Sequence, residues 1–145
     1  AKRMGAVQRL VWASPAFLEK HGTPEKPEEL CDLPALIFRQ SPSARDWTLL
    51  NGDQQVTLKM DGRLSASSGE VLLQGALDGL GLFYAPDWLV CADAVEGRLQ
   101  RVLPDWTGTP LPVNAVWTSG KLRGKAKLFA EHMADCLRFT KPLCG

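Results

Sequence analysis

Apolar positions recur at two different periods along this chain, and the switches between them outline its elements. Val7 to Trp12 mixes apolar and polar residues over a strand's length. Ser14-Pro15 then sets a capping hydroxyl before a proline at the first helical position, which predicts a short helix over Ala16 to His21 with Gly22 as its stop. Thr23 to Pro27 is a loop, and Pro27-Glu28-Glu29-Leu30 opens a single helical turn with its acids where the helix dipole favours them. The apolar run from Leu36, ending at Arg39, predicts a buried strand, and Gln40 to Arg45 is a polar loop. Trp47 to Leu50 and Gln55 to Lys59 flank Asn51-Gly52-Asp53, a hairpin signal because Asn and Gly both tolerate positive φ.

The next stretch is the most informative. After a short strand over Arg63 to Ala66, Ser67 with Glu70 three places on has the spacing of a capping box, which gathers amide donors at a helix entrance. Val71, Leu72, Ala76 and Leu77 give that helix one apolar face, Gly79 and Gly81 end it, and Leu82 to Ala85 form an apolar strand stopped by Pro86. A second short helix follows over Asp87 to Ala94, then a strand over Leu99 to Leu103, a connector over Pro104 to Pro110 and a strand over Val113 to Trp117. Leu122, Ala126, Phe129, Met133 and Cys136/Leu137 recur at helical spacing in the last element. Strands alternating with helices place the chain in the α/β class, with a largely parallel or mixed sheet.

Composition narrows the classes of function. A chain of 145 residues, 45% hydrophobic and 23% charged, builds one folded body rather than a disordered segment. A formal net charge of +1 gives no support to a nucleic-acid or anionic-membrane surface within it. No apolar run reaches bilayer length. The basic start Ala1-Lys2-Arg3-Met4-Gly5 lacks the apolar core of a signal peptide and reads as the cut edge of a longer protein. Cys31, Cys91, Cys136 and Cys144 form no Cys-x-x-Cys pair, and no histidine stands at zinc spacing, so reduced thiols, no metal and no cofactor are expected.

Catalytic chemistry is equally hard to find. His21 precedes the helix-stopping Gly22 and suits a structural place against the last carbonyls, and His132 falls on the polar side of the last helix. Neither has a Ser or Cys partner in a nucleophile context, and no spaced carboxylate pair stands out. A helix entrance rich in donors, with no acid, base or nucleophile beside it, points to a small-molecule sensor rather than an enzyme. The five tryptophans are read as core, with Trp47 weighed against a role covering a ligand.

At this point the order of motifs resembles a known family. Ala13-Ser-Pro-Ala-Phe-Leu18, His21-Gly-Thr-Pro24 and Pro27-Glu-Glu-Leu30, then Gly75-Ala-Leu-Asp-Gly-Leu-Gly81 with Pro86-Asp-Trp-Leu-Val90, then Gly97-Arg-Leu-Gln-Arg-Val-Leu-Pro-Asp-Trp106, resemble successive blocks of LysR-type transcriptional regulators. The likeness runs over nearly all of residues 5 to 140. It implies the effector-binding, or substrate-binding, domain, with a type II periplasmic-binding-protein-like fold of two α/β lobes around a small ligand. On that likeness residues 1–106 are the second lobe with the first crossover, and residues 107–145 are the return crossover, a strand and the C-terminal helix of a first lobe otherwise missing here.

The same resemblance implies site and partners. The effector would contact Arg39, Gln40, Ser41 and Ser43 after the Leu36 strand, and Ser67 and Ser68 at the capped helix. Serines and amides beside one arginine suit a carboxylate or hydroxyl-bearing ligand, and a small carboxylate or aromatic compound is the expected effector. The plain alternatives stay open: Ser67 and Ser68 as caps only, Arg39 as a solvated surface charge. The resemblance further implies a cytoplasmic homo-oligomer, dimer or tetramer, with the Val71 to Leu77 and Leu122 to Leu137 helices as docking elements. DNA would be reached only through a winged helix-turn-helix domain absent from this chain, and no membrane is engaged. The alternative reading is a solute-binding protein of a transport system with a similar fold.

Overall fold

The structure is a computed structural model and describes residues 1–118, 120–121 and 123–139. Its centre is a five-stranded sheet of β2 (Arg9–Ala13), β3 (Ala35–Phe38), β6 (Gly62–Ala66), β7 (Leu82–Pro86) and β8 (Gln100–Val102), in the order β6-β3-β7-β2-β8. Strand β3 runs parallel to β6 and β7, whereas β2 runs antiparallel to both β7 and β8. The sheet is therefore mixed. Alternation along the strands divides its two faces: Val11, Ala13 and Ile37 point one way, Leu10, Trp12 and Leu36 the other. Both faces are covered, which is why β2 and β3 read as nearly continuous apolar runs.

One face packs on α2 (Gly69–Leu77) and α3 (Asp87–Val95) through Leu72, Ala76 and Val90. The other carries α1 (Pro15–His21), a 3-10 turn over Pro27–Asp32, and the hairpin of β4 (Asp46–Asn51) with β5 (Gln54–Lys59), packed through Phe17, Leu30, Trp47 and Leu58. Strand β9 (Thr107–Gly108), inside the expected connector, adds to β4. Separately, β1 (Lys2–Val7) pairs antiparallel with β10 (Leu111–Ala115), and α4 (Gly124–Phe139) lays Ala130 and Ala134 on Met4.

Several expectations move. The Val7 to Trp12 strand is two strands in two sheets, because the chain breaks at Gln8, whose carbonyl accepts from the Asp87 amide. The hairpin turn is Gly52-Asp53, one place later than the Asn-Gly pair, since Asn51 still pairs with Gln54. Gly79 leaves α2 at φ +73°, but Gly81 serves a close approach instead: a Cβ there would stand 2.7 Å from the Pro34 carbonyl oxygen. Trp12 and Trp47 are core, yet Trp88 is 58% exposed and Trp106 and Trp117 are half-buried. His21 stacks on Phe17 with ring centroids 4.4 Å apart. His132 approaches Cys136 Sγ at 3.5 Å, a thiol neighbour one helical turn further along α4. Cys31 and Cys136 are free, while Cys91 is disulfide-bonded, against the expectation of four reduced thiols. Leu122 and Cys144, and the side chain of Leu137, lie outside the described residues.

Candidate functional site

A cavity of about 1060 Å³ opens where the C-terminal ends of β3 and β7, the entrances of α2 and α3, and the β1–β10 pair converge. Leu36, Phe38 and Gln40 line it at every second position, as a strand and its extension require. Ser41 and Ser43 line it from the following loop, their hydroxyls 3.1 Å apart, and Ser67 and Ser68 line it at the entrance of α2. The same alternation turns Arg39 away. It is exposed outside the cavity lining, and only its backbone amide is engaged, donating to the Ala66 carbonyl at 2.8 Å.

The cap itself shifts by one residue. Ser68, not Ser67, precedes the first helical turn: its Oγ accepts from the Val71 amide at 3.4 Å and donates to Glu70 Oε2 at 2.8 Å. Glu70's own backbone amide and then the Ser68 hydroxyl hold its carboxyl below the usual carboxylate range. Replacing Ser68 with alanine is expected to cost about 1 kcal/mol of stability in a urea melt, whereas Ser67→Ala should leave the midpoint unchanged. A larger loss at Ser67 would relocate the cap.

Arg9 is the group that sequence reasoning missed. It opens β2, is half-buried, and lines the cavity beside Tyr84, its guanidinium carbon 4.6 Å from the Tyr84 ring centroid. Its Nε donates to the Thr109 carbonyl at 3.0 Å. Tyr84 Oη in turn donates to the Thr48 carbonyl at 3.0 Å and accepts from the Thr109 amide at 3.1 Å. Its ring leans on Trp47, centroids 5.2 Å apart. One phenol thus ties β7, β4 and the residue after β9 together at the floor of the cavity. A charge opening a strand that is otherwise buried on both faces was the available signal for Arg9.

Burial pushes the Tyr84 phenol above its ordinary pKa, while Arg9 and then the Thr109 amide act the other way. As the sole tyrosine in the sequence, it can be titrated by absorbance at the phenolate band. We expect its ionisation to fall on the alkaline side of a free phenol. A folded pKa above the unfolded one means the contribution to stability is whole below the unfolded phenol range and is lost as pH rises through the folded value. Ionisation at or below the free-phenol value would show that the ring is not held as described.

The cavity has polar hydroxyls, amides, the Arg9 cation, the carboxylates of Asp46 and Glu70, and aromatic walls. Among the described residues no set of three or more His, Cys, Asp or Glu gathers in a metal-holding arrangement, and no helix is long and apolar enough to cross a membrane. The arrangement suits holding a small polar molecule.

Comparison with known proteins gives these findings. Residues 1–138 match the family model of the LysR substrate binding domain. The chain is 36% identical over 137 residues to the HTH-type transcriptional regulator CrgA of Neisseria meningitidis serogroup B, covering 93% of this chain and 45% of that protein. It is 30% identical over 141 residues to the HTH-type transcriptional regulator DmlR of Escherichia coli K12, covering 93% of this chain and 46% of that protein. The chain thus spans just under half the length of these curated relatives. The solved regulatory domain of CrgA superposes with a TM-score of 0.78 at 33% identity, over 94% of this chain and 67% of that one. The regulatory domain of AphB from Vibrio vulnificus, treated with cumene hydroperoxide, superposes with a TM-score of 0.77 at 27% identity, over 92% and 68%.

Proposed function

The chain belongs to the LysR substrate-binding domain family, and from that premise we propose that it senses a small effector in the cavity at the entrance of α2. The fold is the type II periplasmic-binding-like α/β fold of the LysR regulatory domains it resembles. The named relatives are transcriptional regulators, which favours this reading over a transport solute-binding protein and over an enzyme. The observation that carries it is the cavity itself: about 1060 Å³, lined by Gln40, Ser41, Ser43, Ser67 and Ser68, with Arg9 in the place foreseen for Arg39. That volume and polarity suit a ligand of carboxylate or aromatic character.

On this reading residues 1–106 form the second lobe with its crossover, and residues 107–145 return to the first lobe. The pairing of β1 with β10 fits two adjacent crossovers and the packing of α4 on β1 fits a first-lobe helix beside them, while β9 just past residue 106 still pairs with β4. The parent protein is a cytoplasmic homo-oligomer, dimer or tetramer, that reaches DNA through a winged helix-turn-helix outside this chain. Exposed Val71 on α2 and Leu128 and Phe129 on α4 suit subunit contacts. Effector binding shifts a pre-existing equilibrium of lobe angles, which requires different affinity for the two states.

A calorimetric screen of small carboxylates and aromatics against the full-length protein tests the reading. For a hit, Ser68→Ala and Gln40→Ala are each expected to weaken binding about 3- to 10-fold, the worth of one hydrogen bond. Unchanged affinity in both variants would move the effector elsewhere.

A further inference from the structure

We propose that Arg9 is the anion anchor of this cavity and that the effector is a small monocarboxylate with an apolar or aromatic body. The proposal rests on the effector reading above and deepens it.

Three observations carry it. First, Arg9 is the only lysine or arginine among the described residues lining the cavity. Second, its charge is unspent: among the described residues no carboxylate lies within 4.0 Å of its guanidinium, although Arg98 and Lys127 each have such a partner. Third, it is held in place without being consumed. The Tyr84 ring supports one face at 4.6 Å and the Thr109 carbonyl takes Nε, so the fork of terminal N–H groups keeps its donors. A fixed, half-buried guanidinium with unused donors matches the two oxygens of a carboxylate and loses little freedom on binding it.

The remaining walls decide what that carboxylate is attached to. Asp46 and Glu70 also line the cavity, and Glu70 is held in its ionised form by its own amide and Ser68. A second negative group on the ligand would face these acids with no second cation to balance it. Phe38, Phe83, Trp47 and Trp88 supply apolar and aromatic surface instead. One carboxylate on an apolar body is therefore the chemistry the cavity accommodates. Arg9 also reaches the backbone of Thr109, the segment leading into β10, so an anion seated on it lies at the junction between the central sheet and the β1–β10 pair.

The test uses the 145-residue chain with benzoate, its neutral isostere benzamide, and the dianion phthalate, followed by calorimetry and tryptophan emission. Benzoate is expected to bind about 10- to 100-fold more tightly than benzamide, the range for hydrogen bonds to a charged group, and more tightly than phthalate. Arg9→Gln should remove that preference, bringing benzoate down to the level of benzamide, and Arg9→Lys should restore part of it. The alkaline titration of Tyr84 in each variant reports whether the cavity floor stays assembled. Equal binding of benzoate and benzamide, or a preference that survives Arg9→Gln, overturns the anion anchor. If benzamide binding is then lost in Trp88→Ala, the effector cavity stands without it. Tighter binding of phthalate overturns the monocarboxylate assignment, and no binding of benzoate overturns the anchor, while the wider screen above decides the effector reading separately.

Discussion

Alanine in place of Gly108 is expected to lower stability by about 3 kcal/mol and to dislodge Tyr84 from the cavity floor. A Cβ at that position would stand 2.1 Å from Tyr84 Oη and 2.4 Å from its Cε2, well inside any real contact. The intruding methyl meets a ring that cannot retreat freely, because Trp47 lies on one side and Arg9 over its face. The ring must move, and its hydrogen bonds with Thr48 and Thr109 are broken with it. The check is a double-mutant cycle in urea. Gly108→Ala should cost far less in a Tyr84→Ala background, since the clashing atoms are gone. Equal costs in both backgrounds would show that the glycine is required for its backbone alone. Because Tyr84 supports Arg9, the single variant should also weaken effector binding, whereas a loop glycine of no structural consequence would not.

Truncating Trp47 is expected to have the largest effect in the chain, about 3–5 kcal/mol for Trp47→Ala, the range for removing a large aromatic side chain from a core. Its side chain is only 2% exposed, sits in the cluster with Leu49, Leu58 and Met60, and leans on Tyr84 while also forming part of the cavity wall. Of the two roles weighed for it, core and ligand cover, its burial bears out the first, and it also lines the cavity. Trp47→Phe should retain much of the stability and lose about 1–3 kcal/mol, because a smaller ring still fills part of the site. Chemical denaturation measures both. A cost for Trp47→Ala below about 1 kcal/mol would place the ring on the surface rather than in the core.

Much of the fold was legible because local chemistry speaks directly in a sequence. Ser14-Pro15 set the start of α1, where Ser14 Oγ accepts from the Phe17 amide at 3.2 Å. Apolar runs at Leu36 and Leu82 marked strands buried on both faces, and the hairpin of β4 and β5 followed from its turn residues. Two of the errors are one-residue shifts, Ser68 for Ser67 and Gly52-Asp53 for Asn51-Gly52. Neighbouring residues of similar type compete for a cap or a turn, and the winner depends on the register of the strands beside them. The loop and helix entrance that line the cavity were named from the family resemblance, and only the helix entrance also stood in a local capping motif.

The choice between Arg39 and Arg9 was not legible. Arg39 follows a strand in the sequence, but alternation from Leu36 through Phe38 to Gln40 places it on the other side. Arg9 reaches the cavity only because β2 runs antiparallel beside β7 and brings it over Tyr84, 75 positions further along the chain by their numbering, and within reach of the Thr109 carbonyl. Taken alone, then, the amino-acid order determined the elements and the class of fold, since capping, turn chemistry and periodicity act between residues a few places apart, and the order of its motifs carried the resemblance to the family. Which charge faces the cavity, which glycine must stay bare and which tryptophan is exposed were decided by tertiary packing, because those surroundings are made by residues that only the folded chain brings together.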